Sequence, residues 1–351
     1  MTDSELRQRT STTGSTTPDV KKEVLEGLRT IFDPATCTRK GLCPVTKIRR
    51  QQEPLESHSL YFEQHGSGPE KVVFIMGLNS TSFSWAMQVN HFGRSPNHTI
   101  LVFDNRGVGN SGRPRGPYST SGMAEDVIVL LDYVGWTETR DLHVVGISLG
   151  GMIAQELSTR IPERIISLTL AVTTPGGLPW YNFPPWKGVA SLGRLFLIAD
   201  AENKLPILLD MVFPQEWLAQ KAEDDPEGRT NREIQTGLYR HRLLMTRPQH
   251  PLGGLSQMYA GLLHHVDGSR LRKISSSIPK VLIVTGDKDH LVKPMNSRYL
   301  KQDMPEAELV VWEDTGHALH LQWVDRFNEL LERVFREGKQ RLADADGVWT
   351  S

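Results

Sequence analysis

Apolar residues in this chain follow two patterns. Short uninterrupted runs, such as Val72-Val73-Phe74-Ile75, alternate with longer segments in which apolar residues recur every three or four positions. The runs at 71–76, 99–103, 142–146, 165–172, 280–285 and 309–312 predict buried strands, and Tyr61 with its neighbours predicts another. Helical periodicity lies between them over 123–133 and returns at the end of the chain, where Leu321, Val324, Phe327, Leu331 and Val334 share one face. Such alternation is the trace of repeated β-α units on a mostly parallel sheet.

The alternation breaks over 176–262, a stretch rich in Pro, Trp and Leu, and resumes only at 280. An insertion of this kind between strands predicts a mostly helical cap. Its charged stretch 223–232 reads as a solvated face, whereas Trp180, Tyr181, Phe183 and Trp186 follow a strand end and are candidates to line a pocket or to pack within the cap. At the other end, 1–18 holds nine Ser or Thr and no apolar run, which predicts a disordered tail. Val20, Val24, Leu28 and Ile31 then recur at helical spacing, giving a helix over 19–32, and Cys37 and Cys43 follow in what reads as a loop with Pro34, Gly41 and Pro44. The expected organisation is an N-terminal extension 1–55, a core 56–175 and 263–338, a cap 176–262 and a tail 339–351.

Composition narrows the function. The 351 residues equal somewhat more than two domains of about 150 residues each, and 40 Lys and Arg against 41 Asp and Glu leave a net charge of −1. No basic surface for a nucleic-acid backbone follows from that balance. Two cysteines supply neither a disulfide framework nor a four-cysteine zinc site, and no dinucleotide fingerprint occurs, so no metal or organic cofactor is expected. Without a signal-peptide-like start or a run of about 18 uncharged apolar residues, a cytoplasmic protein with no transmembrane segment is expected.

The chemistry concentrates around Gly146-Ile147-Ser148-Leu149-Gly150. An apolar strand enters this G-x-S-x-G pattern and a helix leaves it, so Ser148 stands on a tight turn above the sheet, at a helix N-terminus whose N–H groups can stabilise an oxyanion. A glycine-rich turn without catalysis is the alternative for the motif alone. Serine needs a base, and the base needs an orienting group. Of twelve histidines, His317 lies directly after the strand at 309–312, on the sheet edge expected to carry Ser148. His264 and His265, where the cap rejoins the core, are assigned structural roles, His320 a helix-start or pocket-lining role, and His290 is set aside because it directly follows the favoured acid. Asp289, in the loop after the strand at 280–285, is favoured over Asp287 as the acid.

The order Ser148, Asp289, His317, the elbow and the inserted cap together resemble the α/β-hydrolase fold: a mostly parallel sheet flanked by helices, with an inserted helical cap. The segment Asp104-Asn105-Arg106-Gly107-Val108-Gly109-Asn110-Ser111 resembles that family's turn below the site, the helix at 124–135 its following helix, and Gly316-His317 its histidine turn. The family usually has His-Gly after the strand at 71–76, where this chain has Met76-Gly77-Leu78-Asn79. The resemblance implies backbone oxyanion donors at Leu78 and Leu149, with Asn79 as the neighbour that could shift the register. It implies a serine hydrolase acting on a carboxylic ester, lactone or related acyl bond. The Trp, Phe, Met and Leu of the cap suggest a small apolar acyl substrate, with Trp180, Phe183 and Trp186 as its candidate contacts. Acyl transfer, cleavage of a carbon-carbon bond next to a ketone, and a slow or non-catalytic small-molecule receptor use the same residues or fold.

Overall fold

The alternation is realised in one twisted sheet. The computed structural model describes residues 27–49, 56–177, 182–198, 200–223 and 225–348. Its strands are β1 (Cys37–Val45), β2 (His58–His65), β3 (Glu70–Ile75), β4 (His98–Phe103), β5 (Leu142–Ile147), β6 (Ile165–Ala171), β7 (Lys280–Gly286) and β8 (Glu308–Trp312), in the spatial order β1-β2-β4-β3-β5-β6-β7-β8. β2 runs antiparallel to both β1 and β4, and every pairing from β4 to β8 is parallel. Every residue of β5, β6 and β7 is buried, which is why these strands carry uninterrupted apolar runs.

Both faces are covered. On one lie α2 (Thr120–Val134) and α3 (Leu149–Ser158), closing over Val73, Leu101, Val144, Leu168 and Ile283; α1 (Ala86–Gly93) and a C-terminal helix pack the other, where the rings of Phe74, Trp85, Phe92, Phe327 and Phe335 pack against one another. Burying each such ring is worth about 1.5–3 kcal/mol. Local signals set the helix ends: Ser119 accepts from the Gly122 N–H to start α2, and Gly135, at φ 83°, stops it.

The strand order reverses beside β3. Its successor β4 lies on one side and β5 on the other, so the connections leaving β3 and β5 diverge and open a crevice at their C-terminal ends. Gly77, Leu78 and Ser148 all follow these two ends.

Between β6 and β7 the chain forms α4 (Trp186–Leu197), α5 (Ala201–Val212), α6 (Gln215–Ala219), α7 (Asn231–Met245) and α8 (Pro251–Leu262), the helical cap, and then α9 (Gly268–Ser277). After β7 come α10 (Met295–Asp303), β8, α11 (Leu319–Gln322) and α12 (Val324–Val348).

Three expectations change. Cys37 and Cys43 lie on β1, not in a loop, so the sheet begins well before residue 56. Gly41 and Pro44 read locally as loop punctuation, but β1 is an edge strand, where proline costs no central ladder bond. Residues 339–348, expected as a tail, continue α12. The helix over 19–32 lies outside the described residues as far as 26, and 28–32 are not helical. The expected tail 1–18 also lies outside them. The chain divides into units 1–30 and 31–351, and everything below concerns the second.

Candidate active site

Ser148 occupies the elbow between β5 and α3 at φ 56°, ψ −121°. That conformation costs an L-residue on the order of 1–3 kcal/mol and persists because its surroundings fix it. The Ser148 N–H donates to the Ala171 carbonyl at 2.9 Å, and the Thr173 hydroxyl donates to the Ser148 carbonyl at 2.8 Å. Glycine is required beside it, since a Cβ on Gly150 would stand 2.0 Å from the Ile75 carbonyl oxygen. Leu149 is the first residue of α3, so its N–H has no intrahelical acceptor and points out of the helix start.

The loop after β3 approaches the elbow closely: a Cβ on Gly77 would lie 3.1 Å from the Ser148 Cβ. The loop is held from three sides. Asn105 donates its Nδ2 to the Met76 carbonyl at 2.9 Å, and Asp104 accepts from the Ser82 N–H and hydroxyl, each at 2.8 Å. From the cap, Gln257 of α8 accepts the Asn79 N–H on Oε1 at 2.9 Å and donates Nε2 to the Arg106 carbonyl at 2.8 Å. Asn79, at φ 52°, therefore has its amide occupied, whereas Leu78 N–H has no backbone acceptor among the described residues. Gln249 adds a bond from Nε2 to Asn79 Oδ1 at 3.0 Å.

Asp289 and His317 meet at the C-terminal ends of β7 and β8. His317 Nδ1 lies 2.7 Å from Asp289 Oδ2, and Asp289 Oδ1 accepts the N–H groups of Leu291 at 2.7 Å and Val292 at 2.9 Å. The carboxylate is fully buried and the imidazole is 11% exposed. Asp287 serves a different purpose: its Oδ1 accepts the Thr315 N–H at 3.1 Å, tying the histidine turn to the acid loop. Gln322 closes that turn by accepting from Gly316 N–H and donating to the Asp314 carbonyl, both at 2.8 Å. Ser148 stands on the same sheet edge, and among the described residues its hydroxyl makes no hydrogen bond to the His317 ring; such contacts commonly tighten only with substrate.

The other candidates separate by environment. His264 is buried, bonded through Nδ1 to the Thr120 hydroxyl at 2.9 Å, and burial holds it down to about 3. His320 packs on Trp85 with ring centroids 4.8 Å apart and is likewise held at about 3 by burial, with the charges of Arg242 and His317 adding to it. Of the cap aromatics, Phe183 is 48% and Trp186 80% exposed, while Trp180 and Tyr181 lie outside the described residues. Cys37 gains neighbours that the sequence did not reveal: β-pairing brings Glu63 and His65 beside it, with ligand-type atoms within 4.8 Å of one another. The His65 pairing with Ile100, near the start of β4, puts this group toward the sheet edge opposite Ser148. Gln257 and Gln249 carried no sequence signal, because nothing local marks a contact across more than 150 positions.

Comparison with known proteins gives a consistent result. The sequence profile of the alpha/beta hydrolase fold matches residues 71–322. A putative carbamate hydrolase, RutD, from Azorhizobium caulinodans is 27% identical over 274 residues, covering 78% of this chain and 93% of that protein. Rhodomycin D methylesterase DnrP from Streptomyces peucetius is 28% identical over 273 residues, covering 71% and 85%. Among solved structures, a hydrolase from Pseudomonas aeruginosa superposes with a TM-score of 0.61 at 22% identity, covering 81% of this chain and 99% of that one. No helix among the described residues is long and apolar enough to cross a membrane.

Proposed function

This chain belongs to the α/β-hydrolase fold family, and on that premise we propose that it is a serine hydrolase that cleaves a carboxylic ester, lactone or related acyl bond through Ser148, His317 and Asp289. The observation that carries the proposal is the buried Asp289–His317 hydrogen bond on the sheet edge that also presents Ser148 in its strained elbow. Asp289 accepts the Nδ1 proton of His317, which leaves Nε2 with the lone pair a general base needs. In the proposed sequence, His317 takes the Ser148 proton as Oγ attacks the acyl carbon, and the negative oxygen is held by the N–H groups of Leu78 and Leu149. The same proton then goes to the departing alkoxide. Water, deprotonated by His317, attacks the acyl-enzyme, and Ser148 leaves with its proton restored. The acyl portion is proposed to be small and apolar, with Phe183, Trp186 and Trp180 of the early cap as its contacts.

A fluorophosphonate probe should label Ser148 in the folded protein, and Ser148→Ala should lower kcat on a nitrophenyl ester by at least about 10⁴-fold with unchanged thermal stability. Folded wild type that resists the probe, with equal ester turnover by Ser148→Ala, would overturn the assignment. Product analysis with and without an added alcohol separates hydrolysis from acyl transfer.

A further inference from the structure

Helix α7 of the cap carries two arginines two positions apart, and they sit in opposite situations. Arg240 is exposed and pairs with Glu202, its Nη2 at 2.7 Å from the carboxylate. Arg242 is 9% exposed, and among the described residues no carboxylate pairs with it. What it has is neutral: the Ser84 hydroxyl 3.3 Å from Nη1, the Tyr239 ring under its guanidinium at 4.4 Å, and a side-chain hydrogen bond with Tyr239. Two other cap arginines follow Arg240, Arg229 on Asp225 and Arg232 on Asp210. A guanidinium removed from water without a counter-ion is costly, and neutral partners such as Ser84 and Tyr239 do not offset the loss of a charge's hydration in full.

Its position gives the cost a purpose. Ser84 lies in the short 3₁₀ turn Ser82–Trp85, directly after the Gly77–Asn79 loop. His320, three residues beyond His317, packs on Trp85, the neighbour of Ser84, with ring centroids 4.8 Å apart, so the cap arginine and the histidine turn meet at one short 3₁₀ turn. Arg242 thus reaches from the cap to the turn beside the proposed acyl site, and among the described residues its donor fork meets no anion.

We propose that Arg242 is the anion subsite of this site, receiving the carboxylate of a substrate whose scissile ester or lactone lies a short apolar chain away. This rests on the serine-hydrolase reading for the scissile bond, but not for the binding of the anion. A planar guanidinium fork matches a carboxylate bidentately, and the desolvated position strengthens the bond. The small acyl portion is then apolar only along the chain next to the scissile bond and ends in a carboxylate, so the substrate class is the half-ester or lactone of a dicarboxylic acid.

The test uses full-length protein and two esters of equal acyl length, 4-nitrophenyl hydrogen adipate and 4-nitrophenyl hexanoate. Wild type should favour the charged ester in kcat/KM by about tenfold or more, and Arg242→Met should lower that value about 30-fold or more, mainly through KM. The neutral ester should change less than about threefold in the variant. Arg242→Gln, which keeps a polar bond to Ser84, guards against a folding failure. Binding of monomethyl adipate to Ser148→Ala by calorimetry, present with Arg242 and lost in Ser148→Ala/Arg242→Met, reads the subsite without turnover. Failure of the hydrolase reading would appear as no probe labelling and no turnover of either ester, and the calorimetry would still decide the subsite. Equal use of the two esters by wild type, or a carboxylate preference or binding that survives Arg242→Met, would overturn it. So would a variant that melts several degrees lower with that preference intact, because Arg242 would then be a strap between cap and core.

Discussion

The core and the cap treat buried charge in opposite ways. In the core, Arg106 grips both oxygens of Asp126, which His58 also approaches at 3.3 Å, and Arg160 bridges Glu125 and Glu156 while Arg270 adds a second cation to Glu156 at 2.6 Å. Burial pushes the Asp126 carboxyl up, yet the Arg106 guanidinium and His58 bring it below its ordinary value. Each of these cations meets an anion within the fold. In the cap, the buried Arg242 meets none among the described residues. The contrast separates two uses of a charged side chain: one whose partner is part of the folded chain fixes structure, and one whose partner is missing is free to select a ligand.

The largest expected effect comes from breaking the core side of that contrast. Asp126→Ala would leave Arg106 buried and uncompensated, and should destabilise the fold by about 3–5 kcal/mol in urea unfolding. Replacing both, as Arg106→Met with Asp126→Leu, should recover most of the loss, since a well-packed apolar pair carries no desolvation penalty. If Asp126→Ala left the unfolding midpoint unchanged, the core pair would be no more structural than Arg242.

The next effect lies where the two regions touch. Gln257 reaches from α8 into the core, and its Oε1 occupies the Asn79 N–H beside the proposed donor Leu78. Gln257→Leu should free that amide, let the loop drift from the position that receives the oxyanion, and lower kcat about 10- to 100-fold with little change in KM. Gln257→Glu keeps the acceptor and loses the bond to the Arg106 carbonyl, so it should fall between. Steady-state kinetics on a nitrophenyl ester decides the matter, and an unaltered kcat in Gln257→Leu would make this contact mere packing.

The same contrast explains what the sequence made legible. The parallel strands and the elbow could be read because their causes are local: uninterrupted apolar runs for strands covered on both faces, and glycines around Ser148 where Gly150 has no room for a Cβ. Asp289 and His317 could be placed because each follows a strand end in the same edge. β1 was missed because Pro and Gly announce a loop unless the strand is known to lie at an edge. Gln257 and Arg242 were missed for a deeper reason. Asn79 and Gln257 are 178 positions apart, and nothing in a stretch such as Gly237–Met245 distinguishes the exposed, paired Arg240 from the buried, unpaired Arg242. Which face of a cap helix turns inward is decided by its tertiary partners.

The smallest effect concerns a third arrangement, charges that are paired but close to solvent. Where α12 lies against the sheet, Arg333 and Lys280 converge on Glu308, with Nη2 2.7 Å and Nζ 2.6 Å from its oxygens. The hydrogen bonds from Arg333 outweigh partial burial, and with Lys280 they hold the Glu308 carboxyl down to about 2, below its ordinary 4.5. Because the folded value is the lower one, the stabilisation is fully present above pH 4.5 and is lost as pH falls from 4.5 toward 2. Water screens this pair, so Glu308→Gln should cost no more than about 1 kcal/mol at pH 7, and its difference from wild type should shrink in urea titrations at pH 3 and below. A gap that stays constant with pH would mean that Glu308 acts through packing alone, and that the rim, unlike the core, holds α12 without help from charge.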